Sequence, residues 1–301
     1  MTTSRCLLSS RFPLGAVWVT AILGVLLAGS TATAQETRDP FAAALEGSTA
    51  EGLRTNETNA DEEPLETDRD SFTPAATVVG QGRAIVESSY TFIDNRVGPG
   101  RDSFPEVLAR IGLTDWLELR LGGNYETGGS GAVSGGELGS DEETPGRSND
   151  SNVLYGIKVR ISKQHDWVPR SVVIVQATTP TSGPETATEL DVGYAFGWTL
   201  PNGWNLDSSI RYIEADEEGD HFNEWAPSVV LKVPIGEAWN IHAEYFGIFS
   251  QNRATPNNPQ YFSPGIHYLV TRDCEIGVRT GWGLNNDAAN FFVNVGIGVR
   301  F

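Results

Sequence analysis

From Gln81 onward the chain alternates apolar and polar residues with a period of two, and its last twelve residues are the clearest case. In 290–301 the odd positions Phe291, Val293, Val295, Ile297, Val299 and Phe301 are apolar, while the even positions include Asn294, Gly296, Gly298 and Arg300. Side chains of a strand point alternately to opposite faces, so this segment predicts a strand with one apolar face. About twelve such segments occur, at 83–93, 104–113, 116–125, 152–163, 171–179, 189–199, 204–214, 225–235, 239–250, 261–270, 274–283 and 290–301. Each is close to the roughly ten residues that a tilted strand needs to cross a bilayer.

The connections alternate in length. Those at 114–115, 164–170, 200–203, 236–238 and 271–273 are short, and those at 94–103, 126–151, 180–188, 215–224, 251–260 and 284–289 are longer. An antiparallel meander with tight turns at one rim and loops at the other gives this rhythm, and an even strand count brings both ends to the tight-turn rim. The segment 290–301 then closes on 83–93, leaving neither with an open edge.

Most strands show two distinct faces. Val153, Tyr155, Ile157, Val159 and Ile161 oppose Lys158 and Arg160; Leu190, Val192, Tyr194, Phe196 and Trp198 oppose Asp191 and three small residues. The segment 171–179 is less clear and reads as apolar on both faces. Period two alone does not distinguish lipid from a protein core, and a soluble sandwich or barrel is the alternative. Tryptophan placement favours lipid. Trp116, Trp167, Trp198, Trp204 and Trp239 sit beside short turns, as an interfacial girdle requires, and Tyr90, Phe92, Tyr125, Trp225, Phe249, Tyr261 and Trp282 fall near the long-loop ends. The expected fold is all-β: a transmembrane antiparallel up-and-down β-barrel of about twelve strands.

The polar face then turns inward. Arg110, Glu118, Arg120, Lys158, Arg160, Asp191, Arg211, His242, Glu244, His267, Glu275 and Arg279 are the proposed lumen-lining residues, joined by Glu87, Glu106, Asp207, Lys232 and Arg300. These charges must pair or meet water. They describe either a charge-lined passage or an ion-pair network that only fills the barrel. Gly193, Gly197, Gly277, Gly281, Gly296 and Gly298 leave room on the same face for water or large neighbours. Twelve strands enclose a narrow bore.

The residues before this pattern differ in character. Among the 301 residues, 1–34 carry Arg5 and Arg11, an apolar run from Leu14 to Ala28, and Ala32-Thr-Ala34, which predicts a secretory signal peptide cleaved near Ala34. Residues 35–80, rich in Asp and Glu, read as a solvated, disordered acidic arm, with a plug or an envelope tether as the sharper alternative. The barrel spans 81–301. Cys6 leaves with the signal peptide, so Cys274 stays single and no internal disulfide forms. A net charge of −18 argues against nucleic acid as a partner.

Candidate catalytic chemistry is sparse. His165 lies in a turn and His221 in a loop, while His242 and His267 fall inward on neighbouring strands as the one plausible pair. A lipase-like arrangement needs His and Ser together on the lipid face, and none is convincing there. Asp141-Glu-Glu143 and Asp216-Glu-Glu-Gly-Asp220 match no calcium loop, and no zinc or phosphate-binding spacing occurs. No catalytic residue, metal or cofactor is expected, and the protein is not expected to be an enzyme.

The run Phe104-Pro-Glu-Val-Leu-Ala-Arg-Ile-Gly-Leu-Thr-Asp-Trp-Leu-Glu-Leu-Arg120 resembles an early strand pair of the phenol-degradation meta-pathway transporter family. So do Ala226-Pro-Ser-Val-Val-Leu-Lys-Val-Pro-Ile235 and the closing Gly-Val-Arg-Phe301. The resemblance covers about 81–301. It implies an outer-membrane β-barrel passing small, often aromatic, solutes, and its closing strand resembles the recognition signal of the barrel-assembly machinery. The expected partners are outer-membrane lipid, that machinery and a small-molecule solute. The expected function is passive diffusion through a narrow charge-lined lumen; the alternative is a closed structural or surface-display barrel without transport.

Overall fold

The computed structural model describes residues 65–129, 148–183, 186–217, 220–253 and 256–301. The expected signal peptide, the acidic arm up to residue 64 and most of the 126–151 loop lie outside the described residues. The strands are β1 (Ala84–Asp94), β2 (Arg101–Gly112), β3 (Leu117–Gly128), β4 (Ser148–Ser162), β5 (Arg170–Ser182), β6 (Glu189–Thr199) and β7 (Asn205–Glu217). They continue as β8 (Asp220–Ile235), β9 (Trp239–Gly247), β10 (Phe249–Gln251), β11 (Gln260–Thr271), β12 (Cys274–Gly283) and β13 (Phe291–Arg300). Since β9 and β10 both pair with β8 and are separated by Ile248 alone, they form one stave, and the barrel has twelve.

All neighbouring staves are antiparallel, and the sheet closes where β1 meets β13, from Ile85 opposite Arg300 to Asp94 opposite Phe291. Closure pairs backbone groups that an open sheet would expose to hydrocarbon, which is the condition for a barrel to stand in a bilayer. Outside, Val86, Leu121, Val153, Tyr155, Ile157, Val192, Ile210, Val229, Ile241, Ile266, Ile276 and Val295 form an exposed apolar band. Trp116, Trp167, Trp204 and Trp239 lie at its short-turn margin, and Tyr90, Tyr125, Trp225 and Trp282 at the other. This is the lipid-facing surface of a transmembrane barrel.

Three features differ from the sequence reading. Several strands run further toward the long loops: β4 begins at Ser148, and β7 and β8 continue to Glu217 and Asp220, into the expected 215–224 loop. Ladder hydrogen bonds continue past the apolar band because polar residues pair there as well as apolar ones do. Tyr261 faces inward and is buried, while the adjacent Phe262 takes the outer position. The largest difference concerns 65–80. Instead of a solvated arm, this stretch is a loop folded into the lumen, with Leu65, Thr67, Asp68, Arg69, Phe72, Thr73, Ala75, Val78 and Val79 all buried. Its acidic residues leave water because the barrel wall supplies cations for them.

Candidate functional site: the lumen and its plug

Residues 65–80 enter and leave at the short-turn rim. Leu65 and Val79 pack together there with Ile85 and Leu269. Further in, Thr77 Oγ1 donates to Glu66 Oε2 at 2.6 Å and the Ala75 amide to Asp68 Oδ1 at 3.0 Å, tying the two limbs of the loop. The apex lies at 70–73. Val78 packs on Val172 and Ile174 of β5 and Ala195 of β6. That contact accounts for β5 being apolar on both faces: its outer valines meet lipid and its inner ones meet the plug.

An ionic layer holds the lower half. Asp68 receives Lys158 Nζ at 2.9 and 3.0 Å, Arg110 Nη1 at 3.3 Å, and Arg120. Arg110 also forks onto Glu118, Nε to Oε1 at 2.8 Å and Nη2 to Oε2 at 3.0 Å, while Glu118 Oε2 accepts the Val79 amide at 2.9 Å. Glu87 Oε2 accepts the amides of Asp68 and Arg69, both at 2.9 Å. Arg69 reaches Glu106 at 3.3 Å, and Asp70 receives Lys232 Nζ at 2.8 Å. Charged hydrogen bonds of this kind are the strong ones, and burial makes each depend on its partner. In the plug, which does not itself span, burial alone would raise both aspartates. The Arg110, Lys158 and Arg120 cations outweigh it and hold Asp68 well below the usual carboxylate range; Lys232 above all holds Asp70 at about 2.

The upper half carries an aromatic cluster, with buried Asn124, Glu126 and Glu224 on the same inner face toward the long loops. Phe72 stacks on Phe246 with ring centroids 4.1 Å apart, and Phe246 meets Tyr261 and Phe292 at 5.0 and 6.1 Å. Ile93, Ile213, Ala215, Phe222, Ala226, Ile248, Ala288 and Ala289 complete the cluster. Glu244 anchors the apex from below: Oε2 accepts the Phe72 amide at 2.9 Å, and Oε1 accepts the Thr73 amide and hydroxyl, both at 2.7 Å. Arg279 backs Glu244 at 3.4 Å.

Of the lumen-lining residues expected from sequence, Arg110, Glu118, Arg120, Lys158, Asp191, Arg211, His242, Glu244, His267, Glu275 and Arg279 are all buried on the inner face. Arg160 shares that face on β4 near the short-turn rim and is half-buried. Arg110, Arg120 and Lys158 converge on Asp68, and Glu118 bridges Arg110 and Arg120; Asp191 pairs instead with Arg211 and with Gln176, whose Nε2 lies 2.9 Å away. His242 Nδ1 and His267 Nε2 are 2.7 Å apart. Sequence reasoning missed Asp68, Asp70, Phe72 and Thr73, which complete these groups. The one signal available for them was a β5 strand apolar on both sides; the inner-face charges read from sequence were nearly balanced in sign. Beneath the plug a vestibule of about 510 Å³ opens among Leu65, Glu66, Lys232, His267, Leu269 and Glu275.

The profile of a family described as "Putative MetA-pathway of phenol degradation" matches residues 67–301, so it takes in the plug as well as the barrel. No curated relative matches the sequence. Among solved structures, the COG4313 outer membrane channel from Pseudomonas putida F1 is similar with a TM-score of 0.54 at 12% identity, covering 75% of this chain and 98% of that one. The NanC porin (TM-score 0.48, 10% identity, 72% and 98% covered) and the KdgM porin (TM-score 0.43, 10% identity, 72% and 99% covered) are more distant. At these identities the likeness is one of fold.

Proposed function

The chain belongs to the family of the MetA pathway of phenol degradation, and on that premise we propose that it is an outer-membrane channel for small solutes, exported by a cleaved signal peptide and held shut by residues 65–80. One observation carries this reading: the wall pairs some of its charges between staves, as Arg110 with Glu118 and Arg211 with Asp191, but leaves others to the plug. Arg120, Lys158 and Lys232 take carboxylates from the plug, and Glu87 and Glu244 take amide hydrogens from it. A barrel built only for rigidity would complete its pairs between staves. Here the carboxylate partners of Lys158 and Lys232 sit on a loop, so its withdrawal leaves a bore lined by Arg110, Arg120, Lys158, Lys232, Glu118 and Glu244, all groups that water can solvate.

The upper half supports a class of solute. The Phe72 ring fills a slot walled by Phe246, Tyr261 and Phe292, and a slot that accepts a phenyl group edge-on and face-on accepts a small aromatic solute by the same contacts. The closed structural or display barrel remains the second reading, favoured by how completely the lumen is filled.

Planar-bilayer recording separates them. The full-length chain carrying Asp68→Ser, Asp70→Ser and Phe72→Ala together is expected to conduct several-fold more than the parent. Folding of the variant is checked by its heat-dependent mobility in detergent. A folded variant as silent as the parent would rule out the channel and leave the closed barrel.

A further inference from the structure

Beside the ionic layer, Asp70 of the plug, His267 of β11 and Glu275 of β12 converge so that one ligand atom from each lies within 4.8 Å of the others. Their sequence separation hid the grouping, because two come from neighbouring staves and the third from the plug. His267 Nδ1 stands 3.8 Å from Glu275 Oε1, and donor atoms around a tetrahedral zinc ion with bonds of about 2.0–2.2 Å are about 3.3–3.6 Å apart. The side chains need to draw in by only about an ångström.

Three further observations point to a ligand. His267 is 4% exposed, yet its Nδ1 has no hydrogen-bond partner. Its other nitrogen shares one proton with His242 Nδ1 across 2.7 Å. When His267 donates that proton, Nδ1 presents a lone pair, and the backing imidazole orients it as supporting groups orient metal-bound histidines. In the opposite tautomer Nδ1–H faces Glu275 at 3.8 Å, too far for a hydrogen bond. Second, a cavity of about 20 Å³ is lined by Asp70, His267 and Glu275, with room for one water-sized body. Gly277 keeps it open, since a Cβ there would collide with His267 Nδ1. Third, the same three residues line the vestibule, which gives an ion a route in from the short-turn rim.

Charge agrees. Lys232 neutralises one of the two carboxylates through its bond to Asp70 Oδ2, and Thr67 Oγ1 orients Glu275 at 3.1 Å. The remaining carboxylate and the imidazole lone pair face the cavity together. A mixed imidazole and carboxylate set suits zinc and its neighbours in the first transition row rather than calcium or magnesium, which take oxygen donors. We infer that Asp70, His267 and Glu275 form a binding site for a divalent transition-metal ion such as Zn2+, joining the plug to the wall. The inference concerns binding alone and stands whether or not the barrel conducts.

The test uses the full-length folded protein in detergent, stripped with a chelator, desalted and titrated with ZnCl2 in a calorimeter. About one Zn2+ per chain is expected, with binding weakened at least about tenfold by His267→Ala and by the near-isosteric Asp70→Asn. Replacing the exposed His165 and His221 by Ala is expected to leave it unchanged, and X-ray absorption at the zinc edge is expected to show mixed nitrogen and oxygen ligation. Excess CaCl2 is not expected to compete. Binding that survives both Asp70→Asn and His267→Ala would place the ion on the surface, and no binding would leave the cavity to a water molecule; either result overturns the site. The heat-dependent mobility of each variant confirms its fold, and Asp70→Asn carries the test where His267→Ala fails to fold.

Discussion

The two halves of the lumen close by different physics. Around Asp68 the contacts are charged, directional and shared among Arg110, Arg120 and Lys158. Around Phe72 they are mostly apolar rings and small side chains, with the Arg211 and Arg279 guanidiniums lying over the faces of Phe72 and Phe292. Removing one partner from the lower layer strands its cations in a confined space, whereas removing a ring from the upper layer leaves a dry hole. The lower layer therefore fixes where the plug sits, because ion pairs tolerate little displacement. The upper layer seals, because close-packed rings exclude water wherever they meet.

The sharpest way to break this contrast is Asp68→Ala. Loss of one partner in a buried ionic cluster costs about 3–5 kcal/mol, and the plug is expected to detach. Trypsin reads this directly: Arg69 is buried in the parent, and cleavage after it should accelerate on the order of a hundredfold or more, since proteolysis tracks the open population. Phe72→Ala comes next, at about 3 kcal/mol. It carries a signature that the ionic variant lacks: the emptied slot is expected to bind benzene or phenol, as apolar cavities of ring size do, seen as a ligand-dependent rise in melting temperature. Equal stabilisation of the parent by phenol would contradict this.

Double-mutant cycles sharpen the comparison further. Asp68 with Lys158 should show a coupling of about 2–3 kcal/mol, and Phe72 with Phe246 about 1 kcal/mol, both from denaturant unfolding in detergent. Couplings in the reverse order would mean that the rings set the position. The smallest effect belongs to Arg300→Ala. Its partner Asp273 is 55% exposed in a turn at the rim, and the 2.8 Å contact is worth less than about 1 kcal/mol.

Much of the barrel was legible because the period of two is imposed residue by residue. The limits of β6 and β12 coincide with those read from sequence, and parity alone placed Arg110, Lys158, Glu244 and both buried histidines on one surface. Parity can fail where two aromatics adjoin. Phe291-Phe292 was resolved by the alternation that follows it, which puts Phe291 outside, but at Tyr261-Phe262 nothing local says that Tyr261 is the inner member. The plug was hidden for another reason. Composition treats Asp68 and Asp70 as solvated because a short segment cannot bury its own charges, but their partners come from β2, β3, β4 and β8, far along the chain. The same distance concealed the Asp70, His267 and Glu275 grouping.

The plug also records the order of assembly. Thr67 rests against Gly298 of β13, where a Cβ would crowd its methyl group, while Glu87 of β1 clasps the next two backbone amides. Those strands meet only at the seam between β1 and β13. Lys158, Lys232 and Glu244 must stand on opposite sides of a finished cylinder before Asp68, Asp70 and Phe72 can reach them together. An open sheet would offer the loop only its β1–β4 partners, Glu87, Arg110, Glu118, Arg120 and Lys158; the contacts to Lys232, Glu244 and Gly298 need the closed cylinder. Full seating is therefore expected to follow closure of the seam, and protection of Arg69 from protease during refolding would serve as a clock hand for the completed barrel.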